Sequence, residues 1–158
     1  MDRVKDKVAV VTGGGKGIGK AACLMLAREG AAVAVTDIDE EAGREVVSEI
    51  ESGGGKAEFY RLDVSAEEEV KDVLSKTAEN FGKIDVLVNN AGIAGINEPT
   101  DRIPLEEWKK VIAINVGGVF LCTKHVIPYL REAGGGSIIN LSSIYGLVGA
   151  PDLPPYHA

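Results

Sequence analysis

Aromatic residues make up only 5% of this chain, and no stretch of Lys and Arg is dense enough to reverse a net charge of −7 locally. The missing basic patch argues against nucleic acid as a partner, because polyphosphate binding leaves a positive footprint. A small molecule or another protein is expected instead. Cysteine is scarce too: Cys23 and Cys122 each sit in an apolar stretch of helical spacing and are read as core residues, where small thiols commonly lie. The start, Met1 to Asp6, has no apolar centre for a signal peptide, and no run approaches the roughly eighteen apolar residues of a membrane span. A cytoplasmic, reduced protein is expected, with no membrane partner and no metal site.

What the chain does have is glycine, twenty residues of it, set where a backbone must turn or approach another closely. With 45% hydrophobic and 26% charged residues the rest is ordinary globular material. At 158 residues it suits a single domain spanning 1–158, a size that buries about 70% of the unfolded surface.

Val8-Ala9-Val10-Val11 is an unbroken apolar run, as expected of a strand covered on both faces. It leads into Thr12-Gly13-Gly14-Gly15-Lys16-Gly17-Ile18-Gly19, after which helical spacing places Ile18, Ala22, Met25 and Leu26 on one face, with Gly30 as the stop. Ala32 to Val35 is a second strand ending at Thr36-Asp37, and Ala42, Val46, Val47 and Ile50 mark a second helix that ends at Gly53. A third strand covers Ala57 to Leu62. Ser65 is then expected to cap a helix with Glu68 reaching back, which makes Glu67 to Glu69 a solvated first turn. Val86 to Val88 is the fourth strand. A long helix follows from about Leu105 to Arg131, with Trp108, Val111, Ile112, Ile114, Val119, Phe120, Leu121 and Val126 as its apolar set and a kink at Pro128. Ser137 to Leu141 is the fifth strand. This alternation predicts an α/β fold, a doubly wound parallel sheet with right-handed crossovers and helices on both faces.

The glycine turn after the first strand suits a pyrophosphate, which must come close to the N–H groups that open the following helix; plain turn chemistry is the simpler reading of the same residues. Asp37, at the end of the second strand, can accept hydrogen bonds from both hydroxyls of an adenosine ribose and would repel a 2′-phosphate. A helix cap is its other reading, and that duty is assigned to Asp39. Lys16 dissents, since an ammonium inside the turn could neutralise a 2′-phosphate. NAD is the expected cofactor, with NADP the alternative. Asn89-Asn90-Ala91-Gly92 lies where the fourth strand ends, beside the point at which open parallel sheets bind ligands. Ser142 and Ser143 end the fifth strand on the same edge, and Tyr156 follows.

In this set and order of motifs, Thr12-Gly13-x-x-x-Gly17-x-Gly19, Asp37, Asp63, Asn89 to Gly92, Asn115, Ser143 and Tyr156, the chain resembles the short-chain dehydrogenase/reductase family along essentially its whole length. The resemblance implies an NAD(P)-binding Rossmann fold with five strands in the order 3-2-1-4-5. It implies cofactor contacts from Thr12, Gly13, Gly15, Lys16, Gly17, Ile18, Gly19, Asp37, Asp63, Val64, Asn90, Ala91 and Gly92. It further implies hydride exchange between NAD(H) and a secondary alcohol or ketone, with Tyr156 as general acid/base, Ser143 orienting the substrate oxygen and Asn115 holding a water of the proton relay. A buried amide bonded to backbone is the simpler reading of Asn115, and the same bonds can serve both purposes.

A free phenol titrates near ~10, so a catalytic tyrosine needs a cation to lower it. The family places a lysine four positions on, which here falls after Ala158. His157 points about 100° away on a helix and cannot replace it, and nothing in the sequence brings Lys124 to the site. The family's last strands, substrate loop and final interface helix also fall after Ala158, and without them the fifth strand is an unpaired edge. The chain is therefore expected to be part of a longer polypeptide, a homodimer or homotetramer packed through the long helix and the one opening at Tyr156. A noncatalytic nucleotide-binding fragment is the alternative. A methyltransferase shares the glycine turn and the second-strand acid but needs neither Ser143 nor Tyr156. One apolar wall of a substrate pocket is expected from Ile93 to Asn97, Ile144, Tyr145, Leu147 and the stretch around Leu153.

Overall fold

The computed structural model describes residues 3–149 and 151–157. Met1 and Asp2, at the start read for a signal peptide, and Ala158, in the expected last helix, lie outside them. Five parallel strands form one sheet in the order β3-β2-β1-β4-β5. These are β1 Val8–Thr12, β2 Ala32–Asp37, β3 Lys56–Arg61, β4 Val86–Asn89 and β5 Ser137–Asn140. The pairing Val10 with Ala34 on one side and with Leu87 on the other fixes β1 as the central strand. Between them run the helices α1 Gly17–Arg28, α2 Glu40–Ser52 and α3 Glu67–Phe81, then α4 Leu105–Ile112 and α5 Val119–Glu132.

Strand alternation sorts the core into two layers. Ala9, Val11, Val33, Val35 and Val88 face Cys23 of α1 and Val46 and Ile50 of α2. Val10, Ala34 and Leu87 face the other way, onto Val70, Val73 and Leu74 of α3 and Cys122, Val126 and Leu130 of α5. Both thiols are therefore core groups, and burial pushes each up to about 12.

Several expectations change at the level of single residues. In α1, Ile18 and Met25 are 70% and 49% exposed, and the buried stripe is Gly19 and Cys23. Small residues are needed there because that face lies directly on the sheet. Ser65 does not cap α3: its hydroxyl donates to Asp63 Oδ1 at 2.7 Å, and Glu69, not Glu68, reaches back to accept the Asp63 N–H at 2.9 Å. The acidic run is not simply solvated either. Lys124 Nζ donates to Glu67 Oε1 at 2.8 Å and His125 Nε2 lies 2.7 Å from the same oxygen, which holds that carboxyl down at about 2.

The long helix is continuous from Leu105 to Glu132 but changes its hydrogen-bonding pattern at Ala113–Gly118, a π-helical segment. Pro128 sits inside α5 without ending it. One stretch of this helix reaches a mean hydropathy of 1.5, long and apolar enough to cross a membrane by length and composition alone. Its expected apolar set is split: Val111 and Val126 are fully buried, whereas Trp108 and Phe120 are exposed.

At the N-terminal end of the sheet Asp85, 2% exposed, ties β4 to β1 by accepting the Val8 N–H at Oδ2 and the Lys7 ammonium at Oδ1, each at 2.9 Å, with Lys83 Nζ 3.1 Å from Oδ2. Burial pushes its carboxyl up, but the bonds from Lys7, Val8 and Lys83 prevail and hold it below the usual range. Because the folded value is depressed, the stabilisation is full above the ordinary carboxylate range and is lost as pH falls through the folded value. Asp85→Ala is expected to destabilise by about 1–3 kcal/mol, because it leaves the buried Val8 N–H without its acceptor, while the half-exposed Lys7 and Lys83 ammonium groups turn to water. Urea unfolding at neutral pH checks this, and a midpoint unchanged from the parent protein would refute it.

Candidate functional site

Every residue singled out for chemistry lies at or beside the C-terminal edge of the sheet, around the gap between β1 and β4. The strand order reverses there, because the chain leaves β1 for β2 and β3 on one side and returns with β4 and β5 on the other.

Thr12 closes the gap. Its hydroxyl is 2% exposed with its residue, accepts the N–H groups of Asn90 and Ala91 at 3.0 Å each, and lies 3.3 Å from the Val88 carbonyl oxygen to which it donates. Asn90 returns the tie by donating Nδ2 to the carbonyls of Thr12 and Gly13, at 2.8 and 2.9 Å. Neighbouring Asn89 is 3% exposed and donates to Asn140 Oδ1 at 2.8 Å and to Thr123 Oγ1 at 3.2 Å, which fastens β5 and α5 to β4. The polar stretch at the end of β4 is thus a clamp, anchored on buried Thr12 and Asn89.

The glycine turn is shaped by what it excludes. Gly13 and Gly17 have φ of +63° and +54°, where a side chain is strained, and a Cβ on Gly19 would overlap the Gly13 carbonyl oxygen. A Cβ on Gly17 would meet nothing, so that glycine faces open space. The helix behind it has no side-chain cap and no acidic residue in its first turn, so its leading N–H groups remain available to an anion. Asp37 is held in place as both of its oxygens accept backbone N–H groups, Oδ2 from Gly15 at 2.9 Å and Oδ1 from Asp39 at 3.0 Å. Asp39 is the cap of α2, accepting the Ala42 N–H at 3.1 Å. Its other oxygen takes the Lys16 ammonium at 2.6 Å, a partner 23 residues away that the sequence reading did not supply. This bond raises the ammonium above its usual range and, with the Ala42 N–H, lowers the carboxyl.

Two clefts share this edge. One, of about 530 Å³, is lined by Gly13, Lys16, Gly17, Ile18, Asp37, Asp63, Val64 and the Asn90 to Ile93 loop, with Ile38, Leu62, Lys110 and Ile114 as additions not singled out from the sequence as cofactor contacts. Ile38 is 65% exposed directly after the acid, and an exposed apolar residue at that place was the available signal. Thr12, Gly15 and Gly19 lie beneath the cleft and shape it without lining it. The second, of about 330 Å³, shares Ile18 and the Asn90 to Ile93 loop with the first and brings together Asn115, Ser143 and Tyr156.

Asn115 lies in the π-helical segment and grips Ile93 at both backbone groups, accepting its N–H and donating to its carbonyl, each at 2.9 Å. π segments of this kind interrupt helices at functional positions. Ser143 Oγ accepts the Tyr145 N–H at 3.2 Å, which leaves its own proton for another acceptor. Tyr156 stands in a 3₁₀ turn, Pro154–His157, where an α-helical start was expected. Its ring meets Tyr145 edge-on, with centroids 6.1 Å apart and planes at 78°. Of the expected apolar wall, Ile93 lines this cleft and Tyr145 braces Tyr156, whereas Ile144 and Leu147 are 64% and 86% exposed. Lys124 is turned to Glu67, away from both clefts. A further groove between the ends of α3 and α5 includes Lys83, already committed to Asp85, and gathers no comparable set.

Comparison with known proteins places these features in a family. The family model described as short chain dehydrogenase matches residues 7–158. A cyclopentanol dehydrogenase of Comamonas sp. (strain NCIMB 9872) is 47% identical over 158 residues, all of this chain and 63% of that protein. Among solved structures, a 7α-hydroxysteroid dehydrogenase complexed with NADH and 7-oxo glycochenodeoxycholic acid superposes with a TM-score of 0.94 at 34% identity. An NAD+-bound xylitol dehydrogenase gives 0.94 at 36%. Each structure match covers 98% of this chain and 60% of the other, so the chain spans less than two thirds of the proteins it resembles.

Proposed function

Because this chain belongs to the short-chain dehydrogenase family, we propose that the protein carrying it is an NAD-dependent oxidoreductase acting on secondary alcohols and the corresponding ketones. The observation that supports this most directly is the sharing of Ile18 and the Asn90 to Ile93 loop by a glycine-walled cleft and a cleft holding Asn115, Ser143 and Tyr156. A nucleotide in the first would present its reactive end to the hydroxyl groups of the second.

The residues fit such a nucleotide. The uncapped N-terminus of α1 and the open space at Gly17 suit a pyrophosphate. Asp37, steadied by two backbone N–H groups, keeps lone pairs for the ribose hydroxyls, and Asp63 and Val64 stand at the adenine end. Bound NAD supplies the hydride acceptor for an alcohol, and NADH the donor for a ketone. The protein's own part is proton and charge management. Tyr156 Oη, as the phenolate, takes the hydroxyl proton from an alcohol, and as the phenol returns it to a carbonyl oxygen, acting as general base or acid. Ser143 Oγ, with its lone pair engaged by Tyr145, donates to the same oxygen and stabilises the charge it develops. Asn115 positions the Ile93 loop that forms one side of the site.

The reading is tested by giving the purified full-length protein NAD with a series of secondary alcohols and following nicotinamide reduction. Turnover with at least one cyclic or linear secondary alcohol is expected. Tight NADH binding with no turnover on any of them would leave only a nucleotide-binding protein.

A further inference from the structure

Asp37 accounts for a preference against a 2′-phosphate only if no cation offsets it, and Lys16 lies in the glycine turn on the wall of the same cleft. The geometry around Asp39 resolves that opposition. Its Oδ2 holds the Lys16 ammonium at 2.6 Å, its Oδ1 accepts the Ala42 N–H at 3.1 Å, and its own N–H is donated to Asp37 Oδ1 at 3.0 Å. The Ala42 and Asp37 bonds hold Asp39 in place without any help from Lys16. The ammonium therefore meets a partner already in place, and the same backbone link sets Asp39 beside Asp37.

We infer that Asp39 is a specificity residue for the nucleotide: by holding Lys16 it withholds the one cation of the glycine turn from a 2′-phosphate. This rests on the nicotinamide-nucleotide reading above. An exposed ion pair is weak taken alone, and here Lys16 and Asp39 side chains are 75% and 39% exposed. The selectivity comes from what breaking it entails. To reach a phosphate, Lys16 must leave the Asp39 carboxylate without its cation, so the new contact is offset by the loss of the old one and by an unpaired negative charge on the residue whose N–H is bonded to Asp37. Discrimination by a built-in repulsion of this kind acts on the disfavoured ligand and leaves the favoured one untouched. NADH, which lacks the phosphate, asks nothing of Lys16.

Asp39→Asn separates the two duties of this side chain, because asparagine caps a helix as well as aspartate does but carries no charge. NADH and NADPH are titrated separately by calorimetry into the full-length protein. NADPH affinity is expected to rise about tenfold in the variant, a charge-assisted contact having been released, while NADH affinity stays within about twofold. The gain should vanish in Asp39→Asn/Lys16→Met and shrink with added salt, since exposed charges are screened. Asp39→Ser, also a competent cap, repeats the measurement should the asparagine variant fold poorly. An NADPH affinity that does not rise in a folded variant overturns the inference, as does a gain that survives removal of Lys16. If the unsubstituted protein binds neither nucleotide, the nucleotide reading fails and takes this inference with it.

Discussion

Replacing Tyr156 by phenylalanine in the full-length protein is expected to lower kcat by about 10²–10⁴-fold, the range contributed by a positioned acid/base. The substitution is narrow in its effects. Phenylalanine keeps the ring that meets Tyr145 edge-on, so the Pro154–His157 turn loses no packing. Tyr156 lines the smaller cleft and not the one walled by glycine, so NADH affinity should stay close to that of the parent. Steady-state kinetics with parallel calorimetry separate these effects. A kcat within threefold of the parent would remove Tyr156 from the chemistry, and a parallel loss of nucleotide binding would show that the side chain acts through structure.

Gly19→Ala is expected to have the other large effect, a loss of nucleotide binding of at least about a hundredfold together with about 2–3 kcal/mol of stability. A Cβ at this place overlaps the Gly13 carbonyl oxygen and crowds the Asn90 amide. Neither is the free end of a flexible side chain, because the Asn90 amide is itself bonded to the Thr12 and Gly13 carbonyls. Relief requires α1 to move away from the turn, which disperses the N–H groups left for an anion. Gly17→Ala is the informative comparison: its Cβ meets no atom, so the cost to the fold is only the strain of a positive φ, about 1–2 kcal/mol. Urea unfolding and NADH titration of both variants distinguish crowding from strain. Equal losses in the two would count against the crowding argument.

Much of this architecture was legible because its signals are local or strictly ordered. Val8 to Val11 reads as a strand covered on both faces, and it is fully buried. Asp39 as the cap of α2 follows from its place just before an apolar helical pattern, and the Ala42 bond bears that out. The failures share a cause. Glu69 outcompetes Ser65 and Glu68 at the start of α3 because the loop before it folds back on Asp63, a matter of loop path and not of residue type. Ile18 looks like a core residue by spacing, yet it borders both clefts, and periodicity does not distinguish a helix face on the core from one on a cleft. The π-helical segment carries Asn115 and the pair Gly117-Gly118 in mid-helix, and these residue types weaken a helical pattern without telling which hydrogen-bonding pattern replaces it. The Lys16–Asp39 pair joins residues separated by β2, and charge in sequence does not tell which side chains a crossover will bring together.

The clamp between Thr12 and Asn90 has a bearing on how the molecule comes into being. These residues are 78 positions apart, and their bonds are the ones that join the glycine turn to the opposite side of the cleft. The strands β1, β2 and β3 pair with sequence neighbours through short crossovers, so half of the sheet can form from the early part of the chain. The cleft cannot, because its far side arrives only when β4 docks against β1. A nucleotide bound in this cleft, as proposed above, would engage the chain only once β4 has docked and would not be a template for the first half. Its binding energy would favour the docking of β4 on β1, the strand pairing that closes the longest loop in the sheet.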